Sequence, residues 1–244
     1  MKKLIAAILM IFSATLAVAE SPSVTGGLSI LSSYQLPNGF MASNKPVVQG
    51  FVDVFAKNGV YGELWASKRL VGGETAHFGN ETDGKVGWLC VFYGVRCDVS
   101  VTFIDRFPTG TAGSNDIINP VLILSPDKCP KFAVGEICPF YKGELVYMMG
   151  GQIDGATVNR VGIKLIGKAG PWSWTGILDR GHYQTMLGST SGNVWNAEAI
   201  GGYSVNRNWS VVASVRYIDP SEIKDGGISR VTRIIEVVGL RFAY

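Results

Sequence analysis

From Val24 to the C-terminus the chain alternates apolar and polar positions with a period of two. No segment fits an amphipathic helix for more than about a turn. The alternation predicts twelve strands, at 24–35, 47–56, 60–68, 85–92, 97–106, 118–125, 143–150, 158–167, 172–182, 194–205, 209–218 and 230–244. Most run eight to twelve residues. That is the length a tilted strand needs to cross a bilayer, whereas strands of soluble sheets centre on about five or six.

The connections alternate too. Lys57-Asn58-Gly59, Tyr93-Gly94, 167–171 and Asn206-Arg207-Asn208 read as tight turns, and between them lie the longer stretches 36–46, 69–84, 107–117, 183–193 and 219–229. An outer-membrane barrel has short turns at one end, long loops at the other and an even number of strands. Segment 126–142, carrying Cys129 and Cys138, falls at the short-turn end but is long. If 118–125 and 143–150 were not strands, 107–157 would be one long loop and the barrel would have ten strands. The reading adopted is all-β: a transmembrane, antiparallel, up-and-down barrel of about twelve strands, with ten as the alternative.

Two hairpins indicate which face meets lipid. In 194–218, Trp195, Ala197, Ala199, Gly201 and Tyr203 share one face, as do Trp209, Val211, Ala213, Val215 and Tyr217. An apolar middle flanked by aromatics is the pattern of a lipid-facing band between two interfacial girdles. A β-sandwich would turn its apolar face inward and has no need of aromatics at both ends. Across Lys57-Asn58-Gly59, Val52, Val54 and Ala56 align with Leu64, Gly62 and Val60. The other face pairs Phe51 with Trp65, Asp53 with Glu63 and Phe55 with Tyr61, which reads as a lumen wall. The last strand ends in the same alternation, and Phe242 and Tyr244 are expected at the interface. Its terminal aromatic resembles the insertion signal read by the barrel-assembly machinery of Gram-negative bacteria. Counting back from Tyr244 places Glu236 on the lipid face, and a bulge near Gly239 is expected to correct this.

The N-terminus sets the compartment. Lys2-Lys3, an apolar run over 4–16 and Ala17-Val18-Ala19 before Glu20 form a secretory signal, so 1–19 is expected to be removed and 20–244 to be the barrel. Lys2 and Lys3 leave with it, reducing 22 basic side chains to 20 against 19 acidic ones. That balance gives no reason to invoke nucleic acid. The 47% hydrophobic content excludes disorder, and the mature segment has no apolar run long enough for a spanning helix.

A family resemblance is carried by Thr25 to Ser67, with Gly-Gly-Leu-Ser-Ile at 26–30, Ser33-Tyr34, Lys45-Pro46-Val47-Val48-Gln49-Gly50 and Val60-Tyr61-Gly62-Glu63-Leu64-Trp65-Ala66-Ser67. This stretch, about a fifth of the chain, resembles the opening of the TorF-type porins, small outer-membrane proteins of proteobacteria. The resemblance implies a barrel, a porin role and location in the outer membrane of a Gram-negative cell. It carries no catalytic residues, and the four cysteines are not part of it.

The inferred lumen face collects Asp53, Glu63, Asp98, Asp179 and Glu198 against Arg160, Lys164, Arg216, Arg233 and Arg241. Such a wall suits a water-filled pore whose charges tune selectivity, or a closed interior knitted by ion pairs. Ten or twelve strands leave more room than eight and favour the pore. Asp53 opposite Glu63 needs a cation nearby, and Arg241 or Arg233 is expected to supply it because first and last strands are neighbours. The cysteines pair most simply as Cys90–Cys97, opposite across a two-residue turn, and Cys129–Cys138, within one loop; other connectivities and free thiols stay open. No CxxC spacing supports zinc, and no cofactor is implied. A lipid-modifying enzyme would need a base, and His182 with Ser189 or Ser191 and Asp179 lacks a motif that fixes its geometry. The expected function is passive diffusion of small hydrophilic solutes, with outer-membrane lipid as surroundings. A closed barrel with a structural or surface-binding role is the alternative.

Overall fold

The computed structural model describes residues 22–32, 34–35, 41–43, 45–70, 81–105, 116–149, 156–184, 192–219 and 233–243. The signal segment, most of the long connections and Tyr244 lie outside the described residues.

Twelve long strands form the wall: β1 (Ser23–Leu31), β2 (Val47–Phe55), β3 (Val60–Arg69), β4 (Glu81–Phe92), β5 (Val95–Asp105), β6 (Asp116–Pro126), β7 (Gly135–Met149), β8 (Ala156–Ala169), β9 (Trp172–Gln184), β10 (Gly192–Ser204), β11 (Trp209–Asp219) and β12 (Arg233–Ala243). Each is antiparallel to the next, and β12 returns to β1 through the pairs Gly27↔Ala243 to Leu31↔Gly239. The sheet is therefore closed, and closure is the arrangement that leaves a sheet no open edge. Twelve strands about 4.8 Å apart and tilted by about 40° close to a cylinder about 24 Å across. An eight-stranded cylinder, which its side chains just fill, is narrower.

The turns obey local chemistry. Gly59 takes φ +88°, and Ala56 N donates to Val60 O at 2.8 Å, closing the three-residue turn between β2 and β3. A side chain at Gly59 would strike the carbonyl oxygen of Leu89, whose own N–H donates to Gly59 O at 2.8 Å. Tyr93 and Gly94 both have positive φ, 49° and 77°, as a two-residue hairpin turn requires.

Segment 127–134 resolves the choice between ten and twelve strands. Both 116–126 and 135–149 are strands, paired from Met149↔Asp116 to Tyr141↔Leu124. β7 simply runs on past the end of β6, still paired to β8 down to Glu136↔Ile166. The short strand Lys131–Phe132 folds back onto Gly135–Glu136, so the long connection is a small flap on an overhanging strand rather than a loop of the opposite end.

The faces follow the period of two. Leu28, Leu64 and Val161 are 56%, 58% and 63% exposed on the outside, whereas Asp179 is 2% exposed on the inside. The aromatics expected at the lipid interface point outward: Trp195 and Tyr217 toward the long-connection end, Tyr203, Trp209 and Phe242 toward the short-turn end. Two cross-strand ring pairs, Trp172–Tyr203 at 4.8 Å and Trp209–Phe242 at 4.9 Å, build the short-turn girdle. Among the described residues no helix is long and apolar enough to cross a membrane. The expected bulge near Gly239 is absent: pairing of β11 with β12 is unbroken from Trp209↔Phe242 to Ile218↔Arg233, and Glu236 stands opposite Val215. Gly239 instead permits close approach, since a side chain there would strike Leu31 and the carbonyl of Ile30.

Candidate functional site: the barrel lumen

All ten expected wall charges fall on inward-facing register positions, although they do not form one cluster. On β2 to β5, Asp53 is the partner of Glu63, Glu63 of Lys85 and Leu89 of Asp98. Tyr61, 4% exposed, donates its hydroxyl to Asp98 Oδ1 at 2.7 Å. Lys85 lies 5.0 Å from the centre of the Tyr61 ring and within electrostatic reach of both Asp53 and Glu63. The cation that separates the two opposed acids is therefore Lys85, not Arg241 or Arg233. Arg241 pairs with Ser29 and Ser210, whereas Asp53 pairs with Thr25; Arg233 lies further still, opposite Ile218. Alternation on its own does not single out Lys85, although it follows Asp83 by two residues on the same face of its strand. Only the β3–β4 register brings it beside Glu63.

The opposite wall holds a different arrangement. Arg160 on β8 grips Asp179 on β9 with two nitrogens, Nε donating to Oδ1 at 2.9 Å and Nη2 to Oδ2. Asn196 Nδ2 on β10 donates to Asp179 Oδ2 at 3.0 Å. Arg216 Nη2 on β11 donates to Glu198 Oε1 on β10 at 2.6 Å, and Lys142 pairs with Glu144 along β7. These contacts join positions on one strand or on adjacent strands. They line the wall and do not bridge the lumen.

Toward the short-turn end the lumen contains a cavity of about 790 Å³. Its walls include Arg160, Lys164 and Lys142 from the strands, with Asp127, Lys128, Cys129 and Lys131 from the flap. The flap is held there by the Cys129–Cys138 disulfide, Cys138 being inward on β7 as the partner of Lys164. It is held also by Asp127 N donating to Gly94 O at 2.8 Å and Ile137 N to Pro130 O at 3.0 Å. Cys90 and Cys97 are directly opposed on the outward face, as the turn implies, but remain free thiols. Two places from a two-residue turn they occupy a hydrogen-bonded ladder position, where opposed side chains are less close than at the alternate positions.

Of the residues considered for catalysis, the two described ones, Asp179 and His182, do not converge. Asp179 points inward and is committed to Arg160 and Asn196, while His182 has the opposite parity on β9 and its Nδ1 meets Asn193 Oδ1 at 3.0 Å. Ser189 and Ser191 lie outside the described residues. Among the described residues no three His, Cys, Asp or Glu side chains gather to hold a metal ion.

No family model matches the chain, and no curated protein matches it. Solved structures do. The NanC porin superimposes with a TM-score of 0.53 at 9% identity, covering 90% of this chain and 99% of the porin. A bacterial polysaccharide outer-membrane secretin gives a TM-score of 0.48 at 10% identity over 93% of this chain and 99% of that one. The fold is that of an outer-membrane barrel.

Proposed function

We propose that the protein is a porin-like channel for passive diffusion of small hydrophilic solutes, located in the outer membrane with its short turns in the periplasm. The observation that carries this reading is the inward face itself. A twelve-stranded closed wall directs its charges into an interior where the ion pairs Arg160–Asp179, Arg216–Glu198 and Lys142–Glu144 run along the wall rather than across it. Asp53 Oδ1 and Asn196 Oδ1 have no hydrogen-bond partner among the described protein atoms, and buried groups of this kind are solvated by water. In a ring of twelve, β2 lies opposite β8, so the acidic pair Asp53–Glu63 faces the basic stretch around Lys164 across the lumen. Such a divided wall orients a polar solute as it passes. Residues 1–19 would export the chain, and the C-terminal strand β12, followed by the terminal aromatic Tyr244, would engage the assembly machinery.

Conductance of the refolded full-length barrel in a planar bilayer tests the reading. Discrete, ohmic single-channel steps are expected. A silent bilayer from protein that shows heat-modifiable gel migration would leave a closed barrel and refute the channel.

A further inference from the structure

We infer that the short-turn end of the lumen holds an oxyanion-binding subsite, built by Lys128 and Lys131 of the disulfide-pinned flap together with Lys164 of β8. The subsite deepens the channel reading and rests on it for the route by which a solute arrives.

The charge balance of the cavity carries the inference. Arg96, Lys142 and Arg160 line it but are committed, to Asp127 (Nη2 to Oδ1 3.8 Å), Glu144 and Asp179 respectively. Lys128, Lys131 and Lys164 line it too, and none forms an ion pair among the described residues. The one remaining acid on the lining is Glu136, the register partner of Lys131. Three uncommitted ammonium groups against one carboxylate leave an excess of two positive charges around a space of about 790 Å³. That is enough to admit a hydrated phosphate or carboxylate group. Crowding like charges around one space is unfavourable, and a bound anion offsets their repulsion.

The covalent chemistry fixes where the lysines stand. Lys164 is the cross-strand partner of Cys138, and Cys138 is bonded to Cys129, the neighbour of Lys128. The disulfide therefore ties the flap lysines to the strand lysine at one level of the barrel. The 127–134 segment is long for a turn at this end, and its length places two cations over the mouth.

Isothermal titration of the detergent-refolded, full-length barrel with inorganic phosphate at low ionic strength tests the subsite without requiring conduction. Binding is expected to weaken at least tenfold in K131Q/K164Q, and severalfold in C129S/C138S, with heat-modifiable migration retained. K164Q alone, a change on a strand already held by both neighbours, provides the second variant should the double one fold poorly, and a severalfold loss is expected. Absence of phosphate binding by the native barrel would overturn the proposal, as would equal binding by the lysine variants. In a bilayer, phosphate is expected to reduce chloride current in the native channel and less in K164Q. A silent bilayer with lysine-dependent calorimetric binding would refute the channel and leave the subsite standing.

Discussion

Arg160 and Asp179 meet diagonally across β8 and β9, and each has a glycine as its direct register partner: Gly181 opposite Arg160, Gly162 opposite Asp179. A side chain at Gly162 would collide with Asp179 Cβ, and one at Gly181 would press on Arg160 Cγ. The two glycines clear the floor on which the ion pair lies, and Asn196 closes its third side.

That arrangement predicts strong, asymmetric costs. Asp179→Ala strands the Arg160 guanidinium, and breaking a buried pair from one side costs about 3–5 kcal/mol. Gly162→Ala is expected to lower stability as well, by pushing the carboxylate off its partner. Urea titration of the barrel refolded in vesicles measures both. A loss under about 1 kcal/mol for Asp179→Ala would refute the buried-pair assignment.

Lys85 offsets the mutual repulsion of Asp53 and Glu63. Lys85→Gln is expected to move the zero-current potential in a salt gradient toward cation preference, because Asp53, Glu63 and Asp98 then face the lumen uncompensated. Adding Asp53→Asn should return it part of the way. An unchanged potential in both variants would remove these residues from the conduction path.

In the proposed outer-membrane setting, lipid covers the apolar outward face. Leu64→Arg places a guanidinium in the middle of the exposed band of β3 and should cost about 2–4 kcal/mol in vesicle refolding. A cost below about 0.5 kcal/mol would mean that this face meets water.

The hairpin turn between β4 and β5 carries a tyrosine in the left-handed region, φ 49°. A bulky residue there costs roughly 1 kcal/mol, and asparagine is the favoured occupant of this position before glycine. Tyr93→Asn is therefore expected to raise stability by about 1 kcal/mol, read from the same urea midpoint.

Thiol accounting should distinguish the two cysteine pairs. Alkylation of the unfolded, unreduced chain is expected to add two groups, at Cys90 and Cys97, and after reduction four. Opening the Cys129–Cys138 linkage, whose ends are 9 residues apart, should cost about 2–3 kcal/mol through the freedom returned to the unfolded chain. Four labelled sites before reduction would overturn the pairing.

Much of the barrel is legible from residue order alone, because a strand shows its two faces in alternate letters. The twelve segments, the outward aromatics from Trp195 to Phe242, and the inward charges from Asp53 to Arg241 all follow from that period. Periodicity says nothing of which strand lies beside which, or how far one slides past its neighbour. So the neighbourhood of first and last strands suggests Arg241 or Arg233 as companion of the Asp53–Glu63 pair, whereas the cation stands on β4, and the ladder has no need of the bulge invoked for Glu236. It was the offset between β6 and β7, a property of three paired strands together, that turned 127–134 into a flap carrying Lys128 and Lys131 over the cavity. Residue order sets the face a side chain looks from, since that depends on its own backbone; only closure and register decide what it looks at, since those depend on residues scores of positions away.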